Sequence, residues 1–160
     1  METIEGMIPN NILKTDFTFS GLAGEYFVAG ELTRRGYIAS MTLKNSKGID
    51  ILCSNVDAIK SVNIQVKTNK SSKRTWILRD KHESFNAKTL FYIFVNLNDN
   101  KKPPDYFVVP SKIVAEQIKK SHIEWLGAPG RDGRKHKDNT MRHFTDLKEK
   151  YLSRWDVLGL

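Results

Sequence analysis

Apolar and polar positions alternate with two different periods along the chain, and the changes of period outline the predicted elements. Ser20 precedes a helical pattern from about Gly21 to Arg35, with Gly36 as the expected C-terminal stop. Shorter alternating segments predict strands, and the apolar run at 90–97 predicts a central strand covered on both faces. The other expected strands are 37–43, 49–54, 62–68, 75–78 and 106–109, with turns at 45–48 and 98–104.

The C-terminal third is expected to contain two more helices. Pro110 and Ser111 begin a helix that continues to about Trp125. A loop rich in glycine and basic residues follows, and the spacing of apolar residues then predicts a last helix over 144–155. Residues 1–17 have no regular period and are interpreted as an extended lead-in. This order indicates an α/β fold in which helices flank a mixed β-sheet, and it does not fit a doubly wound sheet.

The length and composition narrow the class of protein. A chain of 160 residues fits a single domain, and 39% hydrophobic residues are too many for a disordered chain. The longest apolar run is far shorter than the ~20 residues that cross a bilayer. Cys53 is the one cysteine, which excludes an internal disulfide. We therefore expect a soluble, cytoplasmic protein with no membrane partner.

The positive charge is unevenly distributed. The formal net charge is +8, which alone is a weak guide to a partner. Residues 58–79 contain no acidic residue, and a second basic stretch covers 131–142. These stretches are either solvated loops or a surface for nucleic-acid phosphates. The candidate DNA-binding residues are Lys70, Lys73, Arg74, Arg131, Arg134, Lys135 and Lys137.

A set of polar residues occupies positions where the pattern predicts core. Asp50 lies within an apolar strand segment. Gln65 and Lys67 are two residues apart and therefore share one face of their strand, opposite Ile64 and Val66. Burying these polar groups is costly unless they pair with each other or with a ligand.

Glu25 adds a second carboxylate from the first helix, because its spacing puts it on the same face as apolar residues. These residue types suit metal-assisted hydrolysis of a phosphodiester. Asp50, the Gln65 amide oxygen and the backbone carbonyl of Val66 are the expected ligands of Mg²⁺ or Mn²⁺, and Glu25 is a candidate for a second ion or an outer-shell water. Lys67 would orient or help deprotonate the attacking water.

The residues Glu25, Gly48–Ile49–Asp50 and Gln65–Val66–Lys67 resemble the motif of the PD-(D/E)XK nuclease superfamily. The Q-x-K form is similar to that of Mrr-like restriction enzymes. The resemblance implies a restriction-endonuclease-like fold with its core at about 20–126, followed by a basic loop and C-terminal helix at about 127–160. It also implies a metal-dependent deoxyribonuclease with Glu25, Asp50, Gln65 and Lys67 as catalytic residues.

Two positions depart from the motif of that superfamily. Gly48 stands where its proline would be, and Gln65 replaces the commoner acid and removes one negative charge from the metal site. The leading hypothesis is an endonuclease of restriction, junction-resolving or repair type, acting on DNA as a homodimer if it cuts both strands. The alternatives are an inactive nucleic-acid-binding module on the same fold, a protein-interaction domain, and a merely structural ion pair between Asp50 and Lys67.

Overall fold

A five-stranded mixed sheet with one helix on each face forms the centre of the molecule. The structure is a computed structural model and describes residues 16–43, 47–131 and 133–160. The elements are α1 (Asp16–Arg34), β1 (Ile38–Met41), β2 (Ile51–Ser54), β3 (Ser61–Asn69), β4 (Thr75–Arg79), β5 (Leu90–Asn96), β6 (Asp105–Pro110), α2 (Ser111–Gly127) and β7 (Met141–Thr145), with short 3₁₀ helices at Asp80–Glu83, Asn98–Asn100 and Trp155–Leu158.

The strand order in the main sheet is β1-β2-β3-β5-β6. Strands β3 and β5 are parallel, and the other neighbouring pairs are antiparallel. The chain between β3 and β5 therefore has to cross from one end of the sheet to the other. This crossover contains β4, which pairs with β7 in a separate two-stranded antiparallel sheet.

Helix α1 packs on the sheet face that carries aliphatic side chains. Val28 and Leu32 are fully buried against Ile64 and Val66 of β3. The helix ends as the sequence predicts, because Gly36 has a φ of +87°, a conformation that favours glycine. This face of the sheet is a continuous apolar core.

Helix α2 and the β4–β7 pair cover the opposite face, which is rich in aromatic side chains. Trp76 of β4 packs on Phe94 and Phe107, with 5.0 Å between its ring centroid and each of theirs. Phe144 of β7 stacks on Phe94 at a centroid distance of 4.4 Å. Every residue of β5 is buried, as its apolar run predicts for a strand covered on both faces.

Ser20 does not cap the first helix. The helix begins at Asp16, so Ser20 lies inside it. The predicted lead-in falls mostly on residues 1–15, which lie outside the described residues, as do Asn45 and Ser46 of the predicted turn.

The predicted C-terminal helix over 144–155 is wrong. In its place β7 ends at Thr145 and turns follow, up to the 3₁₀ helix that begins at Trp155. Phe144 does face the core, but in a strand whose partner lies about seventy residues earlier in the chain.

Local backbone conformation also prevents a helix after β7. The Asp146 carboxylate accepts hydrogen bonds from the N–H groups of Lys150 and Tyr151 at 3.0 and 2.9 Å. This local bonding competes with a helix, as is typical of aspartate in loops. Glu149 and Ser153 have φ values of +54° and +53°, outside the right-handed helical region. Along the described segments, none of the helices has the length and apolar character that a bilayer span requires.

Gly24 lies where α1 comes close to Thr68 of β3, and substitutions there test this packing. A Cβ atom there would lie 1.9 Å from Thr68 Oγ1 and 3.0 Å from Thr68 Cβ and Cγ2, so rotating the threonine does not clear it. We expect Gly24→Ala to lower the free energy of unfolding in urea by about 1–3 kcal/mol. The matched control is Gly30→Ala, on the exposed side of α1 with nothing within 4 Å, which should raise stability by up to about 1 kcal/mol. Equal effects of the two substitutions would contradict this packing.

Candidate active site

The candidate site begins where strand β2 meets the turn before it. Asp50 immediately precedes β2, and its N–H donates the last ladder hydrogen bond to the Ile64 carbonyl at 2.8 Å. The next N–H of β3 that faces this side belongs to Val66, and it donates to Asp50 Oδ2 at 2.7 Å. The carboxylate thus takes the place of a backbone carbonyl. Since N–H and C=O of one strand residue face the same side, the Val66 carbonyl is directed toward the same region.

Contacts on both sides hold the Asp50 backbone in place. The Thr42 N–H donates to the Asp50 carbonyl at 2.9 Å, and Thr42 Oγ1 donates to the Ile49 carbonyl at 2.6 Å. Gly48 has a φ of +67°, and a Cβ atom there would lie 2.9 Å from the Phe85 ring. Proline has φ near −65°, so position 48 could not accommodate a proline in this conformation. The glycine is therefore required by the local conformation.

Gln65 and Lys67 lie on the sheet face opposite Ile64 and Val66, as their spacing predicts. They pair in register with Tyr92 and Phe94 of β5, which belong to the aromatic core on the α2 side. Gln65 is 5% exposed, and its Oε1 has no hydrogen-bond partner among the residues that the structure describes. An unsatisfied buried acceptor costs about 1–3 kcal/mol, so it calls for a ligand or a functional explanation.

The surroundings of Lys67 lower the pKa of its ammonium group. Burial lowers the pKa of Lys67, and the nearby Lys81 ammonium lowers it further. The carboxylates of Asp50 and Glu25 oppose this shift. The Lys67 ammonium therefore loses its proton more readily than a lysine in water. The neutral amine that results can accept a proton from a water molecule.

Burial also raises the pKa of Asp50. The Val66 N–H and the Lys67 charge oppose the shift by stabilising the carboxylate. Asp50 and Lys67 therefore form an electrostatically coupled pair at the sheet end.

Glu25 of α1 interacts electrostatically with Lys67 of this pair. Its side chain is half-buried, and its charge is one of those that act on Lys67. The close approach of the neighbouring Gly24 to Thr68 of β3 brings this part of the helix against the strand that carries Lys67. The structure thus brings Glu25, Asp50 and Lys67 into one electrostatic group, and their catalytic roles remain predictions.

Sequence reasoning missed three residues beside this group. His82 is buried, and its Nδ1 lies 2.9 Å from the Tyr92 hydroxyl. Lys81 and His82 both interact electrostatically with Lys67. No spacing in the sequence relates these residues, because the crossover between β3 and β5 carries them to the site. In the sequence, nothing distinguishes Tyr92 from the apolar residues around it in the predicted core strand.

The oxygen atoms of Asp50 and Gln65 can be compared with the ligands that a divalent metal ion requires. Within the described ranges, no group of three or more His, Cys, Asp or Glu side chains has a metal-binding arrangement. Mg²⁺ needs fewer such groups, because it keeps several waters and accepts amide and backbone oxygens. Asp50 has acceptor capacity beyond its one bond to Val66, and Gln65 Oε1 is a buried acceptor without a partner. These residues fit a weakly held Mg²⁺ or Mn²⁺.

The candidate DNA-binding residues divide into two groups. Lys70 and Lys73 are exposed in the turn after β3, and the four basic residues of the 131–137 loop are exposed as well. Arg74 is less exposed, and it forms an ion pair with Glu149 and donates to the Leu147 carbonyl at 3.3 Å. Its charge is therefore partly neutralised.

The sheet order, the flanking helices and the polar groups at the end of β2 define a class: the chain has the restriction-endonuclease-like fold. No protein-family model and no curated protein sequence matches the chain. Among solved structures it is similar to the bacterial homing endonuclease I-Ssp6803I, with a TM-score of 0.50 and 12% identity over 89% of this chain and 91% of that one. It is also similar to the Holliday junction resolvase Hjc of Archaeoglobus fulgidus, with a TM-score of 0.46 and 12% identity over 79% and 84% of the two chains. At 12% identity, this similarity is evidence for the fold alone.

The burial of His82 predicts a pH dependence of stability. Burial, together with the charges of Lys67 and Lys81, lowers the pKa of His82 from 6.5 to about 4. The folded state therefore binds this proton more weakly than the unfolded state. The stabilisation is fully present above pH 6.5 and is lost as the pH falls toward 4, by about 3 kcal/mol in total.

Urea unfolding between pH 4 and 7 should measure this loss. In His82→Asn the change with pH should be about 3 kcal/mol smaller than in the wild type, because the amide does not titrate. His143 is exposed, so His143→Asn is the control for replacing a histidine ring by an amide. The same pH dependence in His82→Asn and wild type would show that His82 is not the titrating group.

Proposed function

We propose that this protein is a metal-dependent endonuclease that hydrolyses phosphodiester bonds in DNA, with a PD-(D/E)XK-type site in its Q-x-K form. The observation that carries the proposal is the half-buried Asp50 carboxylate, which accepts a hydrogen bond from the Val66 N–H and acts electrostatically on the desolvated Lys67. The buried Gln65 Oε1, on the same strand face as Lys67, supports it. The fold, shared with a homing endonuclease, supports it. Similarity to Mrr-like enzymes stays part of the proposal.

Each residue has a role that follows from its position. Asp50, Gln65 and the Val66 carbonyl would hold the ion, with Glu25 on its outer side. When bound, Mg²⁺ or Mn²⁺ supplies Lewis-acid stabilisation of the phosphate and lowers the pKa of a coordinated water. Lys67, as the neutral amine, would orient the attacking water and accept its proton, and the ammonium so formed would stabilise negative charge on the phosphate.

In this proposal, the exposed basic residues form the surface that binds DNA. Lys70, Lys73 and the loop at 131–137 would bind backbone phosphates on either side of the cut. A chain with one such site cuts both strands of a duplex only as a pair, so a homodimer belongs to the proposal.

Gln65 favours one competing function. An amide in place of the usual acid removes a negative charge, which weakens the hold on a divalent cation. The same fold and basic surface would then form a DNA-binding module that does not cut. Cleavage, measured separately from binding, distinguishes the two functions.

Cleavage of a supercoiled plasmid, a linear duplex and a four-way junction with Mg²⁺ or Mn²⁺ tests the proposal. We expect the wild type to cut at least one of them. Asp50→Ala and Lys67→Ala should each slow the reaction by about a hundredfold or more, because each removes a group that acts on the reacting atoms. Both variants should still bind DNA.

Gln65 variants provide the matched controls. Gln65→Leu should lose cleavage, and Gln65→Glu should retain it at a lower Mg²⁺ concentration, because it restores a carboxylate ligand. If the wild type binds DNA but cuts none of the three substrates with either ion, the binding-module function replaces the enzyme.

The salt dependence of binding tests the DNA-contacting surface. Lys73→Ala and Lys137→Ala should each reduce the slope of log affinity against log salt by about 0.9, since one phosphate contact is lost. Lys60→Ala is the control, because Lys60 precedes β3 and lies about 23 Å along the strand from Lys67. An unchanged slope in both variants would remove these residues from the surface.

A further inference from the structure

The two-stranded sheet formed by β4 and β7, here called the ribbon, has a side that the proposed chemistry does not use. Its residues alternate strictly between inward and outward positions. Trp76, Leu78 and Phe144 point into the aromatic core. The outward side carries the cross-strand pairs Ile77–His143 and Arg79–Met141.

The outward side combines apolar and basic groups. Ile77 is 63% exposed and Met141 is 48% exposed, and Arg79 and His143 are exposed beside them. Scattered exposed apolar residues are ordinary on protein surfaces. Here they form adjacent rows with two hydrogen-bonding side chains on a regular strand pair, so a ligand would meet all four groups at once.

Charge identifies the kind of ligand. The segments 70–83 and 131–150, which contain the ribbon and the chain at both of its ends, hold twelve basic and six acidic residues, including the ion-paired Glu83 and Glu149. Their net charge is +6, against +8 for the whole protein. Such a concentration complements a polyanion.

The ribbon is also directly connected to the candidate active site. Strand β4 begins after the basic turn at 70–74 and ends at Arg79, next to the 3₁₀ helix Asp80–Glu83. In that helix, Lys81 and His82 interact electrostatically with Lys67. A duplex contacted by the ribbon would thus have phosphates close to the proposed catalytic lysine.

We propose that the outward side of the ribbon enters the major groove of double-stranded DNA and reads base edges beside the cleaved phosphodiester. The B-DNA major groove is ~12 Å wide and admits a two-stranded ribbon. Five residue pairs span about 17 Å, roughly five base pairs. Arg79 and His143 donate to base acceptors, with guanine N7 and O6 the best match for Arg79, and Ile77 and Met141 contact thymine methyl groups. This inference rests on the proposed function.

Selection from a randomised duplex library tests the inference. The full-length protein is incubated with 30-base-pair duplexes in EDTA, which separates binding from cleavage, and the bound pool is sequenced. We expect the wild type to enrich a short motif and to prefer it over a scrambled duplex. Arg79→Lys keeps the charge but loses bidentate hydrogen bonding, so it should lower this preference about tenfold with little change in scrambled-duplex affinity.

Two further measurements separate base reading from phosphate binding. His143→Ala should relax the sequence preference at one base-pair position. Lys73→Ala should weaken binding to the selected and the scrambled duplex equally. Replacing the guanines of the selected motif by 7-deazaguanine removes the N7 acceptor. It should reduce the preference of the wild type but not that of Arg79→Ala, which has no donor for N7.

The outcomes distinguish the two proposals. Binding and cleavage without an enriched motif, or a motif unchanged in Arg79→Lys and His143→Ala, would overturn the ribbon inference and leave the proposed nuclease intact. If the wild type binds no DNA at low salt, both proposals fail.

Discussion

The candidate site depends on one hydrogen bond, from the Val66 N–H to Asp50 Oδ2. It ends the antiparallel ladder of β2 and β3 by substituting a carboxylate for a backbone carbonyl. The regular geometry of β3 thereby holds the Asp50 carboxylate at the end of the sheet, and its position does not rely on a flexible loop. The Thr42 hydrogen bonds to the carbonyls of Ile49 and Asp50, and the left-handed backbone at Gly48, hold the chain just before β2.

The two faces of β3 divide stability and chemistry between them. Ile64 and Val66 pack with α1 in an aliphatic core, which stabilises the strand whatever lies on its other side. On that other side, Gln65 and Lys67 interrupt the aromatic core and leave a buried acceptor and a desolvated amine. Such local conflicts with good packing are expected at functional sites and are tolerated because the remaining core compensates.

Periodicity predicted the parts of this fold that depend on local burial. The alternation in β3, the apolar run of β5 and the stop at Gly36 all follow from side chains or backbone within a few residues. The strand β7 could not be predicted in this way, because its partner β4 is distant in the chain and Phe144, Tyr151 and Leu152 have helical spacing by coincidence. The same limit applies to the site. Asp50, Gln65 and Lys67 stand out as polar residues in strands, whereas His82 and Tyr92 meet only through the crossover.

The amide at Gln65 changes how charge would balance in the proposed mechanism. With an acid at this position, a metal site can hold its ion before the substrate arrives. With Gln65, Asp50 would be the main anionic ligand in the proposed site, and phosphate oxygens of DNA would have to contribute to holding Mg²⁺, as they do in sites with few carboxylates. A less negative pocket also repels phosphate less strongly. The basic residues around the pocket and the missing acid within it therefore act in the same direction, toward a site completed by its substrate.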